Sequence, residues 1–153
     1  MIGHRVTDWR LRPVTIADFS FIFRVYRTTM KSYIEQIWDW NETAQRQHYE
    51  RSFSVDDYQI IQVADEEVGV LSMQSHAEYD FLARIEILPV YQNQGIGTAI
   101  LGHLIQQARK RRTPIMLRVF KINPARHLYE RLGFQIIRQD AVHYDMLYAT
   151  VDT

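Results

Sequence analysis

The chain has 153 residues, 46% of them hydrophobic and 12% aromatic, which is enough apolar material for one buried core. Lys plus Arg and Asp plus Glu both number 18, so no global charge draws the protein to nucleic acid or an anionic membrane, and a small-molecule or peptide partner is expected. Cysteine is absent, which excludes disulfides, thiolate metal sites and a cysteine nucleophile.

The first residues, Met1 to Trp9, carry Gly3, His4, Arg5 and Asp8 and form no apolar run of signal-peptide type. No stretch reaches the length of a membrane span, so a cytoplasmic protein is expected. Trp9 to Arg12 reads as extended and stops at Pro13. Thr15, three residues ahead of Asp18, offers an N-cap for a helix beginning near Ile16. Phe19, Ile22, Phe23, Tyr26 and Met30 recur at three- and four-residue steps, which places them on one buried face. Tyr33 to Phe53 is aromatic and charged and reads as two helical pieces broken near Asp39 to Asn41.

From Tyr58 the period changes. Tyr58 to Ala64 and Val68 to Met73 are β-rich runs around a hairpin turn at Asp65-Glu66-Glu67, and a third run, Phe81 to Leu88, ends at Pro89. These predict an antiparallel meander. Gly95 opens a second amphipathic helix, with Ile96, Ile100, Leu101, Leu104, Ile105 and Ala108 inward. It closes in the basic run Arg109 to Arg112 before Pro114. Ile115 to Phe120 is the next strand. Pro124 suits the first position of a third helix bearing Ala125, Leu128, Tyr129 and Leu132 on one face, with Gly133 as its stop. Phe134 to Arg138 and Tyr144 to Thr150 read as a closing strand pair, whose edge could receive a second copy to form a homodimer. Strands and helices alternate without a regular βαβ repeat. The expected fold is therefore α+β: a single domain, residues 1–153, with helices flanking a mixed, mainly antiparallel central sheet.

The sharpest local feature is Gln92-Asn93-Gln94-Gly95-Ile96-Gly97-Thr98, a turn between a strand and a helix. Glycines there let backbone approach a ligand closely, and the first N–H groups of the helix have no internal partner. The helix dipole also favours negative charge, so the turn suits a phosphate group. It is not a P-loop, because Gly97 is followed by Thr98 and Ala99 rather than Lys-Ser/Thr. Nor is it a dinucleotide fingerprint, because Ile100 stands where the third glycine would be.

With Gln92, Gly95 and Gly97 in this order, the turn resembles the phosphate loop of the GNAT family of N-acetyltransferases. A second stretch, Asn123-Pro124-Ala125-Arg126-His127-Leu128-Tyr129-Glu130-Arg131-Leu132-Gly133-Phe134, is similar to that family's Asn, Leu-Tyr and Gly-Phe signature. The pair spans roughly residues 81 to 134. The resemblance implies an acetyl-CoA-dependent acyltransferase acting on a primary amine by direct transfer in a ternary complex. Backbone groups of Ile85 to Ile87 would pair with the pantetheine arm. Backbone N–H groups of Gln94, Gly95, Ile96, Gly97 and Thr98, in the loop that Gln92 and Asn93 open, would hold the pyrophosphate. Asn123 would bond the cofactor arm, and the Tyr129 hydroxyl would lie near the sulfur. A chain that kept the acyl-CoA site but lost catalysis, as a regulatory module, is the alternative.

The chemistry asks for such parts on its own account. An attacking amine must be neutral, so a base or a water chain must accept a proton, and a departing thiolate wants an acid. Tyr129, with a phenol near pKa 10, is the candidate acid; without Asn123 and Gly133-Phe134 beside it, it would read as a core tyrosine. Glu86, an acidic residue between Ile85 and Ile87, is the candidate base, against the ordinary reading of a solvated strand glutamate. Tyr33, Glu35, Trp38, Trp40 and Tyr49 cluster in sequence and could hold a cationic or aromatic acceptor through ring faces and a carboxylate. Trp38 and Trp40 could equally plug a gap in the core. The six histidines, His4, His48, His76, His103, His127 and His143, form no close-spaced ligand pair, so no metal is expected. Arg109 to Arg112 reads as a solvated helix C-terminus rather than a nucleic-acid site.

Overall fold

The computed structural model describes residues 8–150. The reading of Met1 to Thr7, including His4, lies outside the described residues. The elements are β1 (Trp9–Pro13), α1 (Phe19–Ile37), α2 (Glu42–Ser52), β2 (Tyr58–Val63), β3 (Glu66–Ser75), β4 (Asp80–Ile87), α3 (Ile96–Arg111), β5 (Ile115–Phe120), α4 (Ala125–Arg131), β6 (Gln135–Gln139) and β7 (His143–Tyr148). The strands form one mixed, mainly antiparallel sheet in the order β1-β2-β3-β4-β5-β7-β6, as the α+β reading requires. Among the described residues two compact units are distinguished, 8–72 with 84–96 and 73–83 with 97–150.

In the first unit, β1 lies antiparallel to β2 and β2 antiparallel to β3, with a bulge after Ile61. The hairpin turn is Ala64-Asp65, with Ala64 in the left-handed region at φ 53°. Glu66 and Glu67 therefore open β3 instead of making the turn, a correction to the expected boundary. A tight turn of this kind matches the right-handed twist of the strands, and it puts Glu67 where Arg12 can bind it through Nε and Nη2 at 3.0 and 2.7 Å.

The helix expected near Ile16 starts with a 3-10 turn, Ile16–Asp18. The Asp18 carboxylate accepts the Thr15 N–H at 2.9 Å, and the Asp18 N–H donates to Thr15 O. One helix then runs through Tyr33 to Ile37, and the break falls between Trp38 and Asn41. Asn41 caps α2 by accepting from the Ala44 N–H at 2.9 Å. Ile22, Phe23, Val25, Tyr26 and Ile34 of α1 are buried, as are Tyr49 of α2 and Ile60, Ile61, Val68, Val70 and Leu71 of the strands.

In the second unit, α3 buries Ile100, Leu101 and Ala108 and is followed by Arg112, whose φ is 53°. Arg111 is more than a solvated charge, because its Nη2 lies 3.1 Å from Oδ2 of buried Asp80. β5 pairs in parallel with β4 over Asp80–Leu82 and antiparallel with β7. The closing strand pair is present, with β7 placed inside and β6 at the rim of the sheet. All five residues of β6 are exposed, and a bulge passes over Ile137, a feature that blunts a sheet edge.

Candidate active site

The first unit gathers its chemistry on one face of β4. Side chains two apart on a strand share a face, so Arg84 and Glu86 stand together. Arg84 Nε lies 3.7 Å from Glu86 Oε2. Glu86 is only 6% exposed, and its Oε1 is buried with no hydrogen-bond partner. An unpaired carboxylate oxygen removed from water is costly, and the carboxyl responds by holding its proton. Burial pushes the Glu86 pKa up to about 7, with the charge of Arg84 pulling the other way.

Two tyrosines from the helices complete this cluster. Arg84 Nε donates to the Tyr49 hydroxyl at 3.3 Å, and its guanidinium carbon lies 5.1 Å from the Tyr26 ring centroid and 5.8 Å from that of Tyr49. The two rings are 4.7 Å apart. Burial works against the charge on Arg84, but Glu86 and Tyr49 outweigh it and keep the guanidinium protonated. Burial also raises both phenols above their ordinary value, which holds Tyr26 and Tyr49 neutral.

The backbone of β4 at Glu86 is pressed against β3. A Cβ on Gly69 would come within 2.2 Å of the Glu86 carbonyl oxygen, so only glycine fits there. The Leu88 N–H donates to Val68 O at 2.9 Å, which carries the contact to the end of β4.

Beyond β4, a 3-10 turn at Pro89–Tyr91 leads into the glycine turn. Gln92 Nε2 donates to Ile87 O at 2.8 Å and Gln94 Nε2 to Val90 O at 3.2 Å, while the Tyr91 hydroxyl bonds the Glu66 carboxylate. Asn93 and Gly95 take positive φ, 63° and 84°, and α3 begins at Ile96. A short turn with left-handed residues ahead of a helix start can aim several N–H groups at one anion, so the residues present suit a pyrophosphate. Gln92 uses its side chain to hold the turn against β4, and the Ile87 oxygen is already bonded. Ile85 and Ile87 are half-buried.

The residues expected around an acceptor do not act as one set. Trp40 packs on Tyr26 with ring centroids 5.8 Å apart and donates from Nε1 to Glu42 at 2.9 Å. Tyr33 is half-buried on α1, whereas Glu35 and Trp38 are exposed. Trp38 therefore does not plug the core. Sequence reasoning missed Arg84 and Tyr26 as site residues. The two-residue step from Arg84 to Glu86 was available as a signal; Tyr26 was hidden by its regular place on the apolar face of α1.

In the second unit, Gly97 and Thr98 lie in the first turn of α3, and a Cβ on Gly97 would meet nothing closer than Leu128 Cδ2 at 3.9 Å. Asn123 Oδ1 accepts from the Ala125 N–H at 2.9 Å, which leaves its amide NH2 as the group to offer a ligand. Tyr129 is buried on α4 with its ring centroid 5.8 Å from that of Phe134. The Phe134 N–H closes the helix end by donating to Tyr129 O at 3.0 Å. Among the described residues, no group of three or more His, Asp or Glu could hold a metal, and no helix is long and apolar enough to cross a membrane.

A family profile described as an acetyltransferase (GNAT) domain matches residues 55–136, just over half of the chain. The chain belongs to the GNAT acetyltransferase family. A curated relative, the ribosomal protein bS18-alanine N-acetyltransferase of Haemophilus influenzae, is 38% identical over 68 residues, 44% of this chain and 47% of that protein. The match thus spans about half the length of that relative. Two solved structures share the GNAT fold with nearly the whole chain. One is the PaiA N-acetyltransferase of Thermoplasma acidophilum in complex with coenzyme A, at 17% identity and a TM-score of 0.73, covering 94% of this chain and 99% of that one. The other is the ribosomal-protein-S18-alanine N-acetyltransferase of Escherichia coli, at 19% identity and a TM-score of 0.69, covering 95% and 96%.

Proposed function

We propose that this GNAT chain acts as one catalytic domain, an acetyl-CoA-dependent N-acetyltransferase whose acceptor is an α-amine, such as the N-terminus of a protein or peptide. The observation that carries the reading is the buried Glu86 carboxyl with an unpartnered oxygen and a pKa near 7. A group so placed changes charge in the range where a general base is useful. An α-amino group has a reference pKa of about 8, close to that of Glu86, whereas a lysine amine near 10.4 would lose its proton to such a base only against a steep gradient. The name of the Haemophilus influenzae relative, an alanine N-acetyltransferase, supports the same acceptor class.

Acetyl-CoA supplies the acetyl group as a thioester. In this reading the N–H groups of Gln94 to Thr98 bind its pyrophosphate, and backbone groups of Ile85 to Ile87 orient its arm. The Asn123 amide donates to that arm. Glu86 receives the amine proton, and the Tyr129 hydroxyl returns a proton to the departing sulfur. The absence of cysteine leaves no acetyl-cysteine route, and direct transfer to the amine is the simpler path. A cytoplasmic location belongs to the same proposal.

Calorimetric titration with acetyl-CoA, coupled to thiol release over a panel of amines, tests it. Binding with release on peptides bearing a free N-terminus supports the reading. Binding without release on any amine would favour an acyl-CoA-sensing module, and no binding would end the assignment of the glycine turn.

A further inference from the structure

Of the aromatic residues expected to receive a cationic acceptor, Tyr49 and Trp40 are already engaged. The Tyr26 and Tyr49 ring faces hold the guanidinium of Arg84, and Trp40, the next ring outward, packs on Tyr26 and bonds Glu42. Glu42 is itself paired with Arg27 at 2.7 Å. The carboxylate that might have attracted a cation, Glu86, stands 3.7 Å from Arg84.

We propose that Arg84 is a specificity-determining residue, a resident cation that fills the Tyr26–Tyr49 cage and turns the Glu86 face against acceptors carrying a second positive charge beside the reacting amine. This rests on the reading of Glu86 as the base. When Glu86 is ionised, Arg84 cancels its charge; when Glu86 is protonated, the charge of Arg84 remains. Tyr26 and Tyr49 stay neutral, so this cluster never becomes net negative. The side chain of Arg84 is 34% exposed, so its field reaches a group arriving from solvent. A like charge a few ångströms away in a partly buried setting changes binding by roughly tenfold or more at low salt, and screening reduces the effect.

The test uses two peptides with the same N-terminal alanine, one followed by glutamine and the other by lysine. kcat/KM and calorimetric affinity are measured for the wild-type chain, Arg84→Gln and Arg84→Lys. Below pH 7, where Glu86 holds its proton, the wild type should bind the glutamine peptide about tenfold more tightly at low ionic strength, Arg84→Lys should retain that ratio, and Arg84→Gln should bring it near one. No preference in the wild type, or an unchanged ratio in Arg84→Gln with native-like melting, overturns the proposal. If Arg84→Gln fails to fold, the wild-type ratio decides in rising salt: a ratio that shrinks supports the field of Arg84, and one that stays constant overturns it. Failure to bind acetyl-CoA or release thiol with either peptide would sink the acetyltransferase reading itself. Turnover without charge discrimination would sink only the role of Arg84.

Discussion

A Cβ on Gly69 of β3 would fall 2.2 Å from the carbonyl oxygen of Glu86 on β4, so the position of the proposed base is set by the one residue type that lets the two backbones approach so closely. The neighbouring strand fixes where Glu86 stands, and burial fixes how strongly it holds a proton.

Gly69→Ala is accordingly expected to lower stability by about 1–3 kcal/mol, the range for overpacking a close contact. The clash is with backbone, which cannot rotate aside. Activity should fall as well, because relief requires β4 to move at Glu86. Urea unfolding and kcat/KM measured on the same preparation check both; an alanine variant with unchanged midpoint and rate would show that the strands give way without consequence.

Glu86→Gln should remove the limb of the kcat/KM profile that rises near pH 7, since deprotonated Glu86 is the proposed base. The same group makes a stability prediction with a definite sign. Its pKa is raised from 4.5 to about 7 on folding, so the native state binds more protons than the unfolded chain between those values. Stability must fall as pH rises through that window and level off above it. The shift corresponds to about 3 kcal/mol, which Glu86→Gln should abolish. Melting curves from pH 4.5 to 8 that run parallel for the two proteins would contradict the burial argument.

The two glycines of the phosphate turn should behave differently. Gly95 has φ 84°, a conformation that costs other residues about 1–2 kcal/mol, so Gly95→Ala should lower stability and acetyl-CoA affinity together. Gly97 lies in a helical turn with room for a Cβ, so Gly97→Ala should change stability by less than about 1 kcal/mol. Gly97→Val should weaken acetyl-CoA binding in a protein that still folds, because it adds bulk within the turn proposed to hold the pyrophosphate. Equal acetyl-CoA affinity for Gly97→Val and wild type would remove Gly97 from the cofactor site.

Tyr129→Phe keeps the ring packing against Phe134 and deletes only the hydroxyl. If that hydroxyl is the acid, kcat should fall about a hundredfold or more while acetyl-CoA affinity and melting temperature stay near wild type. An unchanged kcat would return Tyr129 to the core.

The order of elements was legible because it is written in local periods. The three- and four-residue steps of Ile22, Phe23 and Tyr26, the strand Ile115 to Phe120 and the stops at Pro114 and Gly133 need only near neighbours to act. The glycine turn after β4 and the Asn123 to Phe134 stretch were legible for the same reason, since a turn and a capped helix depend on contiguous residues. One boundary slipped, because the turn is made by Ala64 and Asp65, and Glu66 and Glu67 belong to β3. The tie of Arg111 to Asp80 was hidden because the two lie far apart in the chain.

By itself, then, the sequence determined the α+β class, the family resemblance and the candidates Glu86 and Tyr129, all of which rest on short-range pattern. Only the tertiary structure decided that Glu86 is buried and slow to lose its proton, that Arg84 rather than a substrate occupies the Tyr26–Tyr49 rings, and that Gly69 admits β4 where it lies. Each of these depends on which segments distant in the chain come to pack together. Burial, and the proton affinity that follows from it, is a property of that packing rather than of any residue alone.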